Sequence, residues 1–177
     1  MKDIFLINAK YNKEANKAVL TILDKFSNED REKGRGNYYG SLSGLVRHIL
    51  GGTTFFMGLL KETLAENAAA LKALAVTEGI SVPKDKLTGA QWKALGPAFE
   101  AADDALINLV GALSEGDFKA PVKLDWYGGN PGSVPLYFML QQLFAHGPHH
   151  RGQVSQILDE LGIDNDYSGI SAAFLPR

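Results

Sequence analysis

A stripe of side chains at helical spacing, Met139, Leu143, His146, His150, Gln153, Ile157 and Leu161, constrains this chain more than any other feature. Steps of three and four put these residues on one face of an α-helix. The face is apolar at both ends and must be buried, yet two imidazoles interrupt its middle. The chain has only four histidines, and three fall in the run Phe144-Ala-His-Gly-Pro-His-His-Arg-Gly-Gln-Val154. His146 and His150 project one turn apart from nearly the same side. Two imidazoles so placed chelate one metal ion, and a third from another helix completes a three-histidine site.

The fourth histidine, His48, supplies that third ring. It lies on a helix expected to start at Ser41 or Ser43 and to run to about Leu64, in a stripe formed by Leu45, His48, Gly52, Phe55 and Leu59. Gly51 and Gly52 each cost such a helix about 1 kcal/mol relative to alanine. They mark either a close helix approach beyond His48 or a local irregularity. A buried imidazole without a partner costs about 1–3 kcal/mol. A metal removes that cost by accepting one nitrogen from each ring and leaving the other to a neighbouring acceptor. Three neutral ligands leave a coordination position open, as catalytic sites do.

Three neighbours of the pair are candidate supporting residues. His149 is turned about 100° from His150 and belongs beside the site or on the surface. Gln153, one turn past His150, is placed to orient a ligand or a bound water. Arg151 is placed to bind a substrate anion or a neighbouring carboxylate. Pro148 lies between the two histidines; a modest kink there keeps the pair together, whereas a break separates it.

Two further helices complete the scaffold. Residues 3–27 carry Phe5, Leu6, Ala9, Ala15, Val19, Ile22, Leu23 and Phe26 at helical spacing, with Lys10, Asn12, Lys13, Glu14 and Lys17 opposite. The polar, glycine-bearing run that follows from Ser27 reads as a loop with a solvated charged surface. Thr88-Gly-Ala-Gln91 has the spacing of a capping box and opens a helix to about Leu113. Its inward residues are Trp92, Leu95, Phe99, Ala102, Leu106, Leu109, Val110 and Leu113, with Gly96-Pro97 as a kink or a delayed start. Between the second and third helices lies a long crossover, helical to about Val76. Residues 120–135 alternate briefly like a strand, with Trp126 and Tyr127 on a short extended lid or packed under a loop. Ser133 is expected to cap the last helix, Pro135 to lie in its first turn and Gly162 to stop it. The tail, Ser171-Ala-Ala-Phe-Leu-Pro, is expected to fold back on the helices. The fold class is all-α: a four-helix bundle with a long crossover between helices 2 and 3 and a short extended segment before helix 4.

Composition narrows the chemistry. At 177 residues, 45% hydrophobic and 21% charged, the chain reads as one globular domain over residues 1–177. Absence of cysteine excludes disulfides, zinc–thiolate sites and a cysteine nucleophile. A net charge of −2 leaves no overall footprint for a nucleic acid. No signal peptide or membrane-spanning run is apparent, and a cytoplasmic location is expected.

The run His146-Gly-Pro-His-His-Arg-Gly-Gln153, together with Leu45-Val-Arg-His48, resembles the DinB/YfiT-like four-helix-bundle proteins. The helix order, the long crossover and the final Leu-Gly stop are similar to that family across nearly the whole chain. The resemblance implies a divalent ion, zinc or nickel, on His48, His146 and His150, and a homodimer. It also implies a metal-dependent enzyme that acts on a small molecule, as a low-molecular-weight-thiol-dependent transferase or a hydrolase. Without cysteine in the chain, any thiol comes from a cosubstrate. A rival reading is a non-catalytic metal- or small-ligand-binding stress-response protein. A third is a helical bundle whose histidines are satisfied by hydrogen bonds alone.

Overall fold

The computed structural model describes residues 1–124 and 132–175. Four long helices dominate it: α1 (Lys2–Leu23), α3 (Leu42–Thr63), α5 (Gly89–Ala112) and α6 (Leu136–Glu160), with the short helices α2 (Asn28–Glu32) and α4 (Ala68–Leu74) between them. α1 packs on α5 and α6, and α3 packs chiefly on α6. Their apolar faces merge into one core that includes Leu23, Leu45, Leu106, Leu109, Leu140 and Leu158. None of the described helices is long and apolar enough to cross a membrane. Trp126 and Tyr127, expected on a lid or under a loop, lie outside the described residues.

Helix boundaries follow side-chain caps. Ser41 accepts from the Gly44 amide at 3.0 Å and starts α3. Thr88 and Gln91 form the reciprocal capping box of α5. All eight residues expected inward on that helix are buried or cap its end. Pro97 lies inside α5, not ahead of it, at an exposed position. At the end of α6, Gly162 takes φ +69°. Its amide reaches Asp159 O while the Ile163 amide reaches Leu158 O, both at 2.9 Å, closing the helix as a Schellman motif.

Four expectations are corrected. The first helix ends at Leu23, because Ser27 caps α2 by accepting from the Asp30 amide. The charged run is therefore partly helical, and Arg31 within it is buried, stacked on Trp92 with Cζ 4.4 Å from the ring centroid. Ser133 caps nothing. Strand β1 (Pro121–Lys123) pairs antiparallel with β2 (Ser133–Pro135), and Pro135 itself precedes the first turn of α6. The first amide of α6 is satisfied by the Ala120 carbonyl at 2.9 Å instead of by a side chain. On α3 the buried stripe is Leu42, Leu45, Val46, Ile49, Leu50, Thr53, Phe56, Met57 and Leu60, so Phe55 is half exposed and His48 and Gly52 sit at its flank.

α6 runs unbroken through Pro148. The preceding residue is glycine, whose missing Cβ relieves part of the usual clash ahead of a proline. A Cβ on Gly147 would also stand 2.8 Å from Asn12 Oδ1 and 2.9 Å from Arg151 Nη1. The tail folds back as expected: Lys10 Nζ donates to the Phe174 carbonyl at 3.1 Å.

Candidate metal centre

Side by side, α3 and α6 bring the three histidines together. One nitrogen from each of His48, His146 and His150 lies within 4.8 Å of the others. Ring centroids are 4.7 Å apart for His48 and His146, 4.4 Å for His48 and His150, and 4.6 Å for His146 and His150. The close approach depends on Gly52: a Cβ there would lie 2.3 Å from His146 Cε1. The glycine pair thus marks helix contact rather than irregularity, and only its second member is in that contact. Gly51 would meet nothing closer than Val82 Cγ1 at 3.9 Å.

Hydrogen bonding prepares the rings as ligands. His150 Nδ1 lies 2.8 Å from Gln153 Oε1. An amide oxygen only accepts, so Nδ1 carries the proton and the Nε2 lone pair remains free. His48 Nε2 and His146 Nε2 are 2.9 Å apart, one donating to the other. Burial, reinforced by the neighbouring His150, pulls both rings down to about 4. Burial also lowers His150, against an opposing pull from Gln153. The three imidazoles are neutral at ordinary pH, the form that binds metal.

These residues fit a divalent ion. With bonds of about 2.0–2.1 Å, tetrahedral ligand nitrogens stand roughly 3.3–3.4 Å apart. A neutral imidazole keeps one N–H, so His48 and His146 would each hold it on Nδ1 for both Nε2 lone pairs to face a cation.

Tyr39 is a member of the site that sequence reasoning missed. Its ring stacks on His48, with centroids 3.8 Å apart and planes 19° off parallel, and meets His150 edge-on at 5.2 Å. Gly44 makes this possible, since a Cβ there would stand 1.9 Å from the Tyr39 carbonyl oxygen as the chain doubles back over the start of α3. The only signal in the sequence was an aromatic residue just ahead of the helix cap.

Of the supporting residues, Gln153 holds His150. His149 is exposed, its ring edge-on to His150 at 4.7 Å, and offers no nitrogen to the cluster. Arg151 points elsewhere. It is 1% exposed and donates to Asn12 Oδ1 at 2.8 Å and Asn16 Oδ1 at 2.7 Å. Those asparagines in turn donate to Asp103, at 2.8 Å from Asn12 and 3.0 Å from Asn16. Arg151 and a carboxylate thus face each other through two amides, joining α6, α1 and α5 behind the histidines. Burial pushes Asp103 up to about 6 despite these donors. Asn12, expected on the polar side of α1, is buried because this network satisfies it.

The fold and this cluster define a mostly helical protein with three histidines close enough together that they could hold one metal ion. The chain belongs to the DinB family, whose sequence model matches residues 1–166. A search of curated proteins found no match.

Proposed function

We propose that the protein is a divalent-metal-dependent enzyme, with zinc or nickel held by His48, His146 and His150, acting as a thiol-dependent transferase or a hydrolase. The observation that carries the reading is the convergence of three neutral, partly buried imidazole nitrogens within 4.8 Å. A divalent cation held there would supply Lewis-acid chemistry, lowering the pKa of a thiol or water that reaches it. The chain's part is to position the donors. Gln153 fixes the tautomer of His150, Tyr39 covers His48, and Gly52 gives His146 room. We read the four long helices as the four-helix bundle that the family resemblance implies.

Three protein ligands leave room for a small molecule, which favours catalysis over storage of the ion. A panel of low-molecular-weight thiols with electrophilic acceptors, and of activated esters, tests this. Turnover is expected in the metal-loaded protein and not after stripping. Equal rates in both forms would overturn the enzyme reading. Metal binding without turnover across the panel would favour a non-catalytic metal-binding protein.

A further inference from the structure

Beside the triad lies a cavity of about 430 Å³, large enough for a small organic molecule. His48 and His146 belong to its wall, so whatever enters is held against the proposed ligands. The rest of the described wall is strongly one-sided. Phe56, Leu124, Phe138 and Met139 contribute apolar surface, and Gln142 is the only polar side chain besides the two imidazoles. None of the described lining residues carries a charge. The guanidiniums nearest in sequence are committed elsewhere, Arg47 to the Pro83 and Asp85 carbonyls and Arg151 to Asn12 and Asn16, and neither belongs to the described wall. A carboxylate or ammonium drawn into this space would lose its water and gain no counter-ion from the described wall, which is strongly unfavourable. Phe138 is 50% exposed, leaving a large aromatic surface for a ligand to cover.

We propose that this cavity receives an uncharged substrate through an aromatic or branched-alkyl group, with Gln142 hydrogen-bonding its polar end. The inference deepens the reading of the triad as a catalytic metal site and rests on it for the word substrate. Gln142 is one turn before His146 on α6, so a molecule bonded to its amide is aligned along the helix towards the imidazoles. Shape and polarity select the acceptor here, and charge plays no part in holding it.

The test is a fluorescence titration of the full chain with N-phenyl-1-naphthylamine, a neutral aromatic probe, alongside metal analysis of the same samples. Saturable binding is expected in the wild type. Phe138→Asp, a change at a half-exposed position, is expected to weaken it about tenfold or more while metal content holds. Gln142→Glu, nearly isosteric and exposed, should act in the same direction and guards against a folding defect in the first variant. His150 is not part of the cavity wall, so His150→Ala is expected to lose metal and keep the probe. Binding that never saturates, or that is indifferent to both charged variants, overturns the cavity assignment while leaving the metal reading intact. Probe binding with no metal in the wild type has the reverse meaning: the cavity stands and the metal reading falls.

Discussion

Replacing Gly52 by alanine sets two effects of opposite sign against each other. Alanine in a helix interior is favoured over glycine by about 1 kcal/mol, so the apo protein gains helix propensity. The new methyl, however, would stand 2.3 Å from His146 Cε1, where ordinary contacts begin at 3.4 Å. The ring must therefore retreat by about 1.1 Å. Metal–ligand bonds tolerate deviations of about 0.2 Å, several times less than that retreat. The ring is the end of a side chain and turns away at a cost of roughly 0.5–1.5 kcal/mol, so the fold survives while one of three ligands is lost. Disturbing only the partner of a ligand costs about 10–100-fold in affinity, and displacing the ligand itself should cost at least the upper figure, about 2.7 kcal/mol. Chelator competition with zinc measures this directly, and thermal unfolding of the stripped protein reports the propensity gain. Gly51→Ala is the control, because its methyl makes only an ordinary contact at 3.9 Å. Zinc affinity in Gly52→Ala equal to that of Gly51→Ala would refute the placement of His146 in the site.

Other consequences concern the parts around the triad. Removing the stacked ring in Tyr39→Leu should weaken metal binding by roughly 0.5–1.5 kcal/mol, whereas Tyr39→Phe keeps the ring and should be neutral; equal losses in both would assign the effect to the hydroxyl. Arg151→Ala leaves the Asn12 and Asn16 side-chain oxygens without their donor and the buried Asp103 without the cation that faces it through them, and should destabilise the fold by about 3 kcal/mol or more, read by denaturant unfolding. If Arg151 served a substrate anion instead, the variant would unfold like the wild type and show only a raised KM. Asp103, pushed up to about 6 by burial, binds its proton more tightly folded than unfolded. Its contribution to stability is therefore fully present below the ordinary carboxylate range and is lost as pH rises from about 4 through 6. Asp103→Asn should remove that limb, making the slope of stability against pH less negative by up to about 1.4 kcal/mol per pH unit; parallel profiles would contradict the assignment.

Much of this architecture was legible because it is written in local patterns. The capping box at Thr88, the cap at Ser41 and the stop at Gly162 are short-range devices, and the helices begin and end where those residues place them. The histidine pair was legible for the same reason, since i and i+4 on one helix are neighbours whatever the tertiary fold. What the sequence hid is non-local. Tyr39 reaches His48 through a turn permitted by Gly44, and no periodicity marks such a contact. Asn12 looked like surface because an asparagine is buried only when distant donors and acceptors satisfy it, here Arg151 and Asp103. The buried face of α3 is rotated by part of a turn from the stripe that spacing alone suggests. His48, Gly52 and Phe55 share a stripe, but it flanks the core and faces the histidines of α6 and the adjoining cavity. Sequence alone leaves both a kink and a break open at Pro148, and the helix runs on through it behind Gly147.

Elemental analysis of tag-free protein beside His150→Ala tests the three-histidine centre most directly. About one divalent ion per chain in the wild type and almost none in the variant is the expected result. Traces in both, or equal loading of both, would contradict it.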